Sequence, residues 1–385
     1  MRILLLTPRL PWPPTDGGRV AMSRLAESLA NCGAEVEVLS LNPKKHRVAP
    51  AGPLPIRAVD IDTSRRLIPT LRALSSNTPY IVARFISSEF RNAIRTTLRR
   101  FTPDVVQIES PFLLPYAATV REECGARIAL RSLNVEFRIW EGLARIAAGR
   151  LRRLALRRVA SSLRTYELRE METLDAIVPI SEADADDFRR NLPAAPRMHV
   201  VPCGVALSSC RVVGLSSAVG FIGSLDFLPN QDAVRWILDE LWPRIHAAAP
   251  DARLSIAGSR PPEWLRRRGV DLRADVDDPA AFVCAQSVII APLFAGGGMR
   301  IKVLEAMALG KAVVATTIGA GGIDVRDGHD IVIADDATSF AAAVVRLLRE
   351  PDTAARIGAA ARASVAERYD SDRLARGLLD FYESL

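Results

Sequence analysis

Short apolar, β-branched runs alternate along the whole chain with stretches whose apolar residues recur at helical spacing. Arg2–Leu6 reads as a first strand and Arg19–Asn31 as a helix. Val20, Leu25, Ala26 and Leu29 form its apolar stripe, and Gly33 ends it. Glu35–Ser40 and Ile56–Ile61 follow as strands, then Asp104–Ile108, Arg127–Leu130 and Asp175–Ile180, each flanked by helix-forming sequence. This series closes near Val201. Cys203–Ala218, rich in Ser, Gly and Val, reads as a linker. The alternation then restarts with the strand Val219–Ile222 and a helix after Pro229-Asn230 carrying Val234, Ile237, Leu238 and Leu241. Arg253–Ala257, Val270–Arg273, Val288–Ala291 and Ala312–Ala315 complete the strands, and Pro351–Arg368 and Ser371–Ser384 read as closing helices. Such alternation is the signature of parallel sheets covered by helices. The pattern predicts an α/β chain of two Rossmann-like, doubly wound domains with a ligand site in the cleft between them. The expected boundaries are 1–204, 205–365 and a C-terminal helix over 366–385 that packs back toward the N-terminal domain.

Length agrees with two domains, since 385 residues exceed one ordinary core. With 49% apolar and 25% charged residues the composition is that of a globular protein, not a disordered one. The net charge of +7 suits nucleic acid, anionic lipid or phosphorylated ligands and does not choose among them. The five cysteines are scattered and show no CxxC pair, which argues against a disulfide framework and against zinc. Met1–Thr7 is too short for a signal peptide, and no run reaches transmembrane length, so a cytoplasmic location is expected.

The strongest chemical signal is Pro292-Leu-Phe-Ala-Gly-Gly-Gly-Met-Arg-Ile-Lys-Val-Leu-Glu-Ala-Met-Ala-Leu-Gly-Lys311. It reads as a buried strand end, a loop of Gly296, Gly297 and Gly298, and a helix that opens beside Arg300 and Lys302. Glycines let a backbone approach a ligand closely, and a helix start offers free N–H groups and a positive dipole end. Together with the two cations, that arrangement suits a phosphate or diphosphate. Glu305, one to two turns further on, is placed for a hydroxyl-bearing part of the same ligand. Pro13-Pro-Thr-Asp16-Gly17-Gly18-Arg19 is a second glycine turn between a strand and a helix.

The order of elements and the segment Phe294–Ala315 together resemble the GT-B glycosyltransferases of glycosyltransferase family 4, a large retaining class; the resemblance covers essentially the whole chain. It implies two domains facing across a cleft and a hexosyltransferase-type activity: transfer of a sugar from a nucleotide donor to a hydroxyl acceptor, in bacterial polysaccharide or glycolipid synthesis. It assigns donor binding to Gly296, Gly297, Gly298 and Met299, and ribose binding to Glu305, which matches the second of the family's two spaced glutamates. Gly17 and Gly18 match the loop under the donor phosphates, with Asp16, Arg19 and Trp12 toward the acceptor. Three departures stand out. Gly297 occupies the place of the first glutamate, eight residues before Glu305. Ser224 is assigned to donor binding, but Gly223-Ser224 and the residues after it lack the family's usual Arg and Lys, so Arg300 and Lys302 are expected to carry the diphosphate. Leu133 stands where a histidine is common, which leaves Asn134 and Glu136 to position sugar or acceptor hydroxyls. No cofactor or metal is implied, and no nucleic acid.

Other features admit two readings. Gly258, in Ala257-Gly258-Ser259-Arg260, either touches the base of a nucleotide or caps a loop, and Asp226 and Asn230 either join the site or cap the next helix. Asp60-Ile-Asp62 looks like a metal-binding acidic pair, although the two-domain pattern favours a metal-free phosphate site. Arg145–Arg169, with interleaved Leu151, Leu154, Leu156 and Leu163, is either a solvated outer face or a helix resting on anionic membrane at the inner face. A nucleotide-sugar epimerase and a non-catalytic nucleotide-sugar-binding scaffold are the alternative functions. Neither glycine loop has the GxGxxG spacing of a nicotinamide dehydrogenase.

Overall fold

The computed structural model describes residues 1–64, 78–147, 149–192, 194–207, 210, 217–266, 270–295 and 298–385. The chain divides into two compact units. The first comprises Met1–Pro14, Gly18–Pro202 and Asp372–Leu385; the second comprises Cys203–Ser371 together with Thr15–Gly17.

The first unit is built on seven parallel strands: β1 (Arg2–Thr7), β2 (Glu35–Pro43), β3 (Ile56–Ile61), β4 (Val105–Ile108), β5 (Arg127–Ser132), β6 (Ala176–Pro179) and β7 (Arg197–Met198). Their order is β3-β2-β1-β4-β5-β6-β7. The second has β8 (Ala218–Ile222), β9 (Arg253–Gly258), β10 (Asp271–Ala274), β11 (Val288–Ala291), β12 (Ala312–Ala315) and β13 (Val332–Ile333), ordered β10-β9-β8-β11-β12-β13. Both are doubly wound Rossmann-like sheets, as the apolar runs predicted. Central strands such as Ile3–Leu6 and Val288–Ala291 are buried throughout, because helices cover both faces of a parallel sheet. The two-residue strands β7 and β13 were not foreseen; a run that short carries no periodicity.

Three local features depart from the sequence reading. The helix Leu228–Trp236 runs through a π-helical stretch, Ile237–Leu241, into Trp242–Ala248. Pro243 follows at once, and its missing N–H suits a broken helical hydrogen-bond ladder. The cysteines are not all free: Cys210 and Cys284 form a disulfide with their Cα atoms 5.3 Å apart. They lie 74 residues apart in sequence, so no spacing rule could pair them. Gly258, expected at a ligand or in a cap, has a steric reason of its own. A Cβ there would collide with the Gly223 carbonyl oxygen, so the ends of β8 and β9 close together only through glycine.

The helix Ser371–Glu383 returns to the first unit, as expected of the C-terminal helix. Ala375 and Leu378 are fully buried there, and the Tyr382 hydroxyl donates to Gln107 Oε1 at 2.6 Å. Among the described residues, no helix is long and apolar enough to cross a membrane.

Gly258→Ala is expected to cost about 1–3 kcal/mol of stability through overpacking. Gly125→Ala, whose Cβ would meet nothing within 4 Å, should leave a denaturant melt unchanged.

Candidate functional site

In a doubly wound sheet, ligands bind outside the carboxyl ends of the strands where the winding reverses. In the second unit that point lies between β8 and β11. Gly223 and Ser224 leave β8 there, and the chain after β11 runs through the glycine loop into the helix Ile301–Ala308. Gly296 and Gly297 fall outside the described residues. Gly298 has φ +70°, a left-handed conformation that favours glycine. Arg300 stands at the helix N-cap and donates to the Gly298 carbonyl oxygen at 3.2 Å, which folds the loop back on the helix start.

Lys302 is the centre of this arrangement. Its Nζ donates to Asn230 Oδ1 at 2.8 Å and lies 4.3 Å from the centre of the Phe221 ring. Both partners are neutral, and no carboxylate among the described residues pairs with it. Burial and the adjacent Arg300 push its pKa down to about 7. Burial also lowers that of Arg300. An anion seated here would relieve both. Asn230, foreseen only as a site or cap candidate, holds the ammonium, and its Nδ2 donates to the Ser224 carbonyl at 2.8 Å. The Gly223 position lets Lys302 lie close, since a Cβ there would come 3.1 Å from Nζ. Glu305, partly buried, is on the same helix.

Around this cation the loops lock together. Ser224 Oγ donates to Asp226 Oδ1 at 2.9 Å and lies 3.1 Å from Ser259 Oγ. Asp226 pairs with Arg260 at 3.0 Å, and Arg260 has φ +51°, a strained backbone held by its N–H donating to Asp275. Sequence reading missed the loop after β12. A Cβ on Gly322 (φ +81°) would come 2.9 Å from Met299 Cα, so this loop supports the glycine loop. The glycines 319, 321 and 322 directly after a strand were the available signal. Asp16 and Gly17 group with this second unit, and a Cβ on Gly17 would lie 3.7 Å from Ile301 Cδ1.

In the first unit the reversal falls between β1 and β4. Two residues expected toward the acceptor are packed inward here. The Trp12 ring is buried against Gly52 and its Nε1 donates to Glu27 at 2.6 Å. Arg19 is buried as well, with Nη1 donating to the Pro13 carbonyl at 3.4 Å, so it braces the proline loop. Gly18 sits just before it, partly exposed.

Below these residues runs a buried polar chain. Tyr382 donates to Gln107, Gln107 to Glu109, and Arg131 Nη1 bridges Glu109 Oε2 (3.3 Å) and the Ala21 carbonyl (3.0 Å). Burial raises the pKa of Glu109 despite the Arg131 charge. Just past β5, the Asn134 side chain hydrogen-bonds Glu136, whose pKa burial pushes up to about 7. Glu167, on the helix Arg150–Met171, was not anticipated. It accepts from the Phe137 N–H at 3.2 Å at the start of the helix Glu136–Ile146. Its pKa is raised well above the ordinary range by burial and then by Glu136. A distant carboxyl that caps a helix leaves no local sequence pattern. Asp60 and Asp62 pair with Arg47 and Lys44, and among the described residues no cluster of three or more His, Cys, Asp or Glu could hold a metal.

Two family models match the chain. One described as "Glycosyl transferase 4-like domain" covers residues 16–204, and one described as "Glycosyl transferases group 1" covers residues 216–350. An uncharacterized 44.6 kDa protein in the cps region of Klebsiella pneumoniae is 28% identical over 181 residues, 44% of this chain and 45% of that protein. A phosphatidyl-myo-inositol mannosyltransferase of Mycolicibacterium smegmatis is 33% identical over 154 residues, 37% of this chain and 39% of that one. The chain thus spans less than half the length of these curated relatives. The solved structure of Anabaena Alr3699/HepE in complex with UDP-glucose shares the fold, with a TM-score of 0.68 at 14% identity over 100% of both chains.

The raised carboxyl sets a pH dependence. Against an ordinary value of 4.5, a folded pKa of about 7 means that the folded state keeps a proton that the unfolded chain loses in that window. Stability therefore falls as pH rises from about 4.5 to 7, and the full penalty is present above it. Glu136→Gln is expected to remove its own share of this slope, leaving the shares of Glu167 and Glu109, and to gain on the parent protein in urea melts as pH rises. Parallel pH profiles would show that Glu136 ionises freely.

Proposed function

The chain belongs to the group 1, family 4-type GT-B glycosyltransferases, and from that premise we propose that it moves a sugar from a nucleotide-sugar donor to a hydroxyl acceptor with retention at the anomeric carbon. The observation that carries the reading is Lys302, held between neutral partners at the carboxyl ends of β8 and β11 with Arg300 beside it. In this reaction the bond from the anomeric carbon to the diphosphate oxygen breaks, and its electron pair leaves with the diphosphate. Arg300, Lys302 and the backbone N–H groups of Gly298 and Met299 would stabilise that growing charge, which is a preorganised electrostatic effect. The acceptor oxygen bonds to the same face, and its proton passes to the departing phosphate, so no separate base is needed. Two fixed cations do the work that a metal would otherwise do. Glu305 orients the donor through its ribose, and Asn134 and Glu136 position hydroxyls.

The solved relative that holds UDP-glucose supports a nucleotide-sugar donor. The curated names support a sugar or lipid-linked acceptor in surface polysaccharide or glycolipid synthesis. A cytoplasmic location, peripheral at the inner face of the membrane, goes with this reading. The replacement of the family's first glutamate by Gly297 favours one second reading, a scaffold that binds nucleotide sugar without turnover.

Nucleoside diphosphates and their sugars should raise the melting temperature of the protein, since a ligand that binds only the native state stabilises it. At pH 8 the bound diphosphate should draw a proton onto Lys302, seen as a buffer-dependent binding enthalpy in calorimetry. Affinity should rise as pH falls from about 9 to 7, because a base lowered to about 7 recharges on binding. The Arg300→Ala/Lys302→Ala double variant should lose at least about a hundredfold in kcat, whereas Glu305→Ala mainly raises the donor KM. Near-normal transfer by the double variant overturns the assignment. Donor binding without transfer or hydrolysis establishes the scaffold.

A further inference from the structure

The loop after β12 has little in its own sequence to hold it in place. Gly319, Gly321 and Gly322 bring no side chains, and glycine loses the most conformational freedom on ordering. The start of the loop is fastened just past β11 and β13. The Thr316 hydroxyl donates to the Leu293 carbonyl and accepts the Gly319 N–H at 2.9 Å. Thr317 donates to Asp335 through its N–H at 2.8 Å and its hydroxyl at 2.7 Å. The middle of the loop lies on the glycine loop, where a Cβ on Gly322 would come 2.9 Å from Met299 Cα and 3.2 Å from the Gly298 carbonyl oxygen. Gly298 and Gly322 are both left-handed, at φ +70° and +81°, so a side chain at either would be strained. Each of these two backbones settles the place of the other.

The far end of the loop is held from the end of the helix Pro351–Arg368. Tyr369, the C-cap of that helix, accepts the Asp324 N–H on its hydroxyl at 2.8 Å. Its own backbone is fixed on both sides: the N–H donates to the Val365 carbonyl at 2.8 Å, and the carbonyl accepts from the Val205 N–H at 2.9 Å. Arg368 forks between two carboxylates, with Nη1 paired to Asp324 and Nη2 lying 3.7 Å from Asp330. Asp330 is fully buried and accepts from the Ser364 hydroxyl at 2.8 Å and the Arg326 N–H at 2.7 Å. The Tyr369 ring shares one apolar cluster with Ala320 and Ile323 of the loop, and Met299 packs against that cluster.

We propose that Tyr369 and Arg368 are positioning residues for the anion site of the second unit: acting through residues 317–324, they hold the backbone of Gly298 and Met299 at the start of the helix Ile301–Ala308. A preorganised site works only if its donors are fixed before the ligand arrives, and a displacement of about 1 Å caused from a distance can cost about a hundredfold. Arg300 donates to the Gly298 carbonyl, so a shift of that backbone also disturbs the guanidinium. A purely architectural role fits less well. The Tyr369 ring is enough to fill the core, whereas its hydroxyl and the Arg368 fork are directed at the segment that continues from the loop lying on Gly298 and Met299. The ligand class, a nucleoside diphosphate, rests on the function proposed above; the brace rests on these contacts alone.

The test is hydrogen exchange of the full chain, read by mass spectrometry, together with calorimetric binding of UDP and GDP. Tyr369→Phe removes only the hydroxyl, and Arg368→Met keeps the stem but removes the fork. Tyr382→Phe, which deletes a buried phenol bond in the first unit, is the control for general destabilisation. In Tyr369→Phe the amides of 298–300 and 317–324 should exchange about fivefold faster or more, with the melt little changed, and the nucleotide Kd should rise by about the same factor. Arg368→Met should act in the same direction; if it does not fold, Tyr369→Phe decides alone. Tyr382→Phe should match the parent in both readouts. Unchanged exchange at 298–300 in Tyr369→Phe, an equal rise in Tyr382→Phe, or faster exchange with unaltered nucleotide affinity would each overturn it. A parent protein that binds neither nucleotide fails the donor reading instead, and the exchange comparison then decides the brace by itself.

Discussion

A buried ammonium surrounded by neutral partners is an unstable arrangement unless something anionic completes it. Lys302 is held in that condition by an amide oxygen and a ring face, and its neighbour Arg300 makes the condition worse. Burial without a counter-charge costs free energy, and proteins concentrate such costs where a ligand will relieve them. The surrounding loops make sense as means of keeping the ammonium there. Glycine at 223 leaves room for it, glycine at 258 lets the ends of β8 and β9 close behind it, and Asn230 ties it to the loop after β8.

The first unit manages buried charge differently. Arg131 and Glu109 pair in the core, Gln107 donates to Glu109 and Tyr382 to Gln107, while the Arg131 Nε finds no hydrogen-bond partner among the described residues. Broken pairs of this type are costly, although intact ones add little net stability. Glu136 and Glu167 have no such cation among their perturbers; one carboxyl raises the pKa of the other, so the pair favours holding a proton at neutral pH. One unit therefore presents positive charge at the ends of its strands, and the other presents a protonated carboxyl that can donate as well as accept.

The strands were legible because a parallel strand is buried on both faces and so reads as an unbroken apolar run, as at Val288–Ala291. The cationic helix start was legible because glycines, Arg300 and Lys302 are neighbours in sequence. What the sequence hid was held together over distance. Asn230 reaches Lys302 from 72 residues away, Cys210 meets Cys284 across 74, and Glu167 caps a helix that starts 31 residues earlier. Trp12, expected toward the acceptor, packs in the core; an indole ring suits either place, and only the packing around it shows which.

The return of the helix Ser371–Glu383 bears on how the chain is made. The second unit is almost one continuous segment, Cys203–Ser371, and can condense as soon as it has emerged during synthesis. The first unit is encoded earlier but has to wait: Ala375, Leu378 and Tyr382 complete its core, and until they arrive Gln107 lacks its buried phenol. During translation the side of the earlier-made sheet that these residues cover therefore stays open until the segment after Ser371 docks.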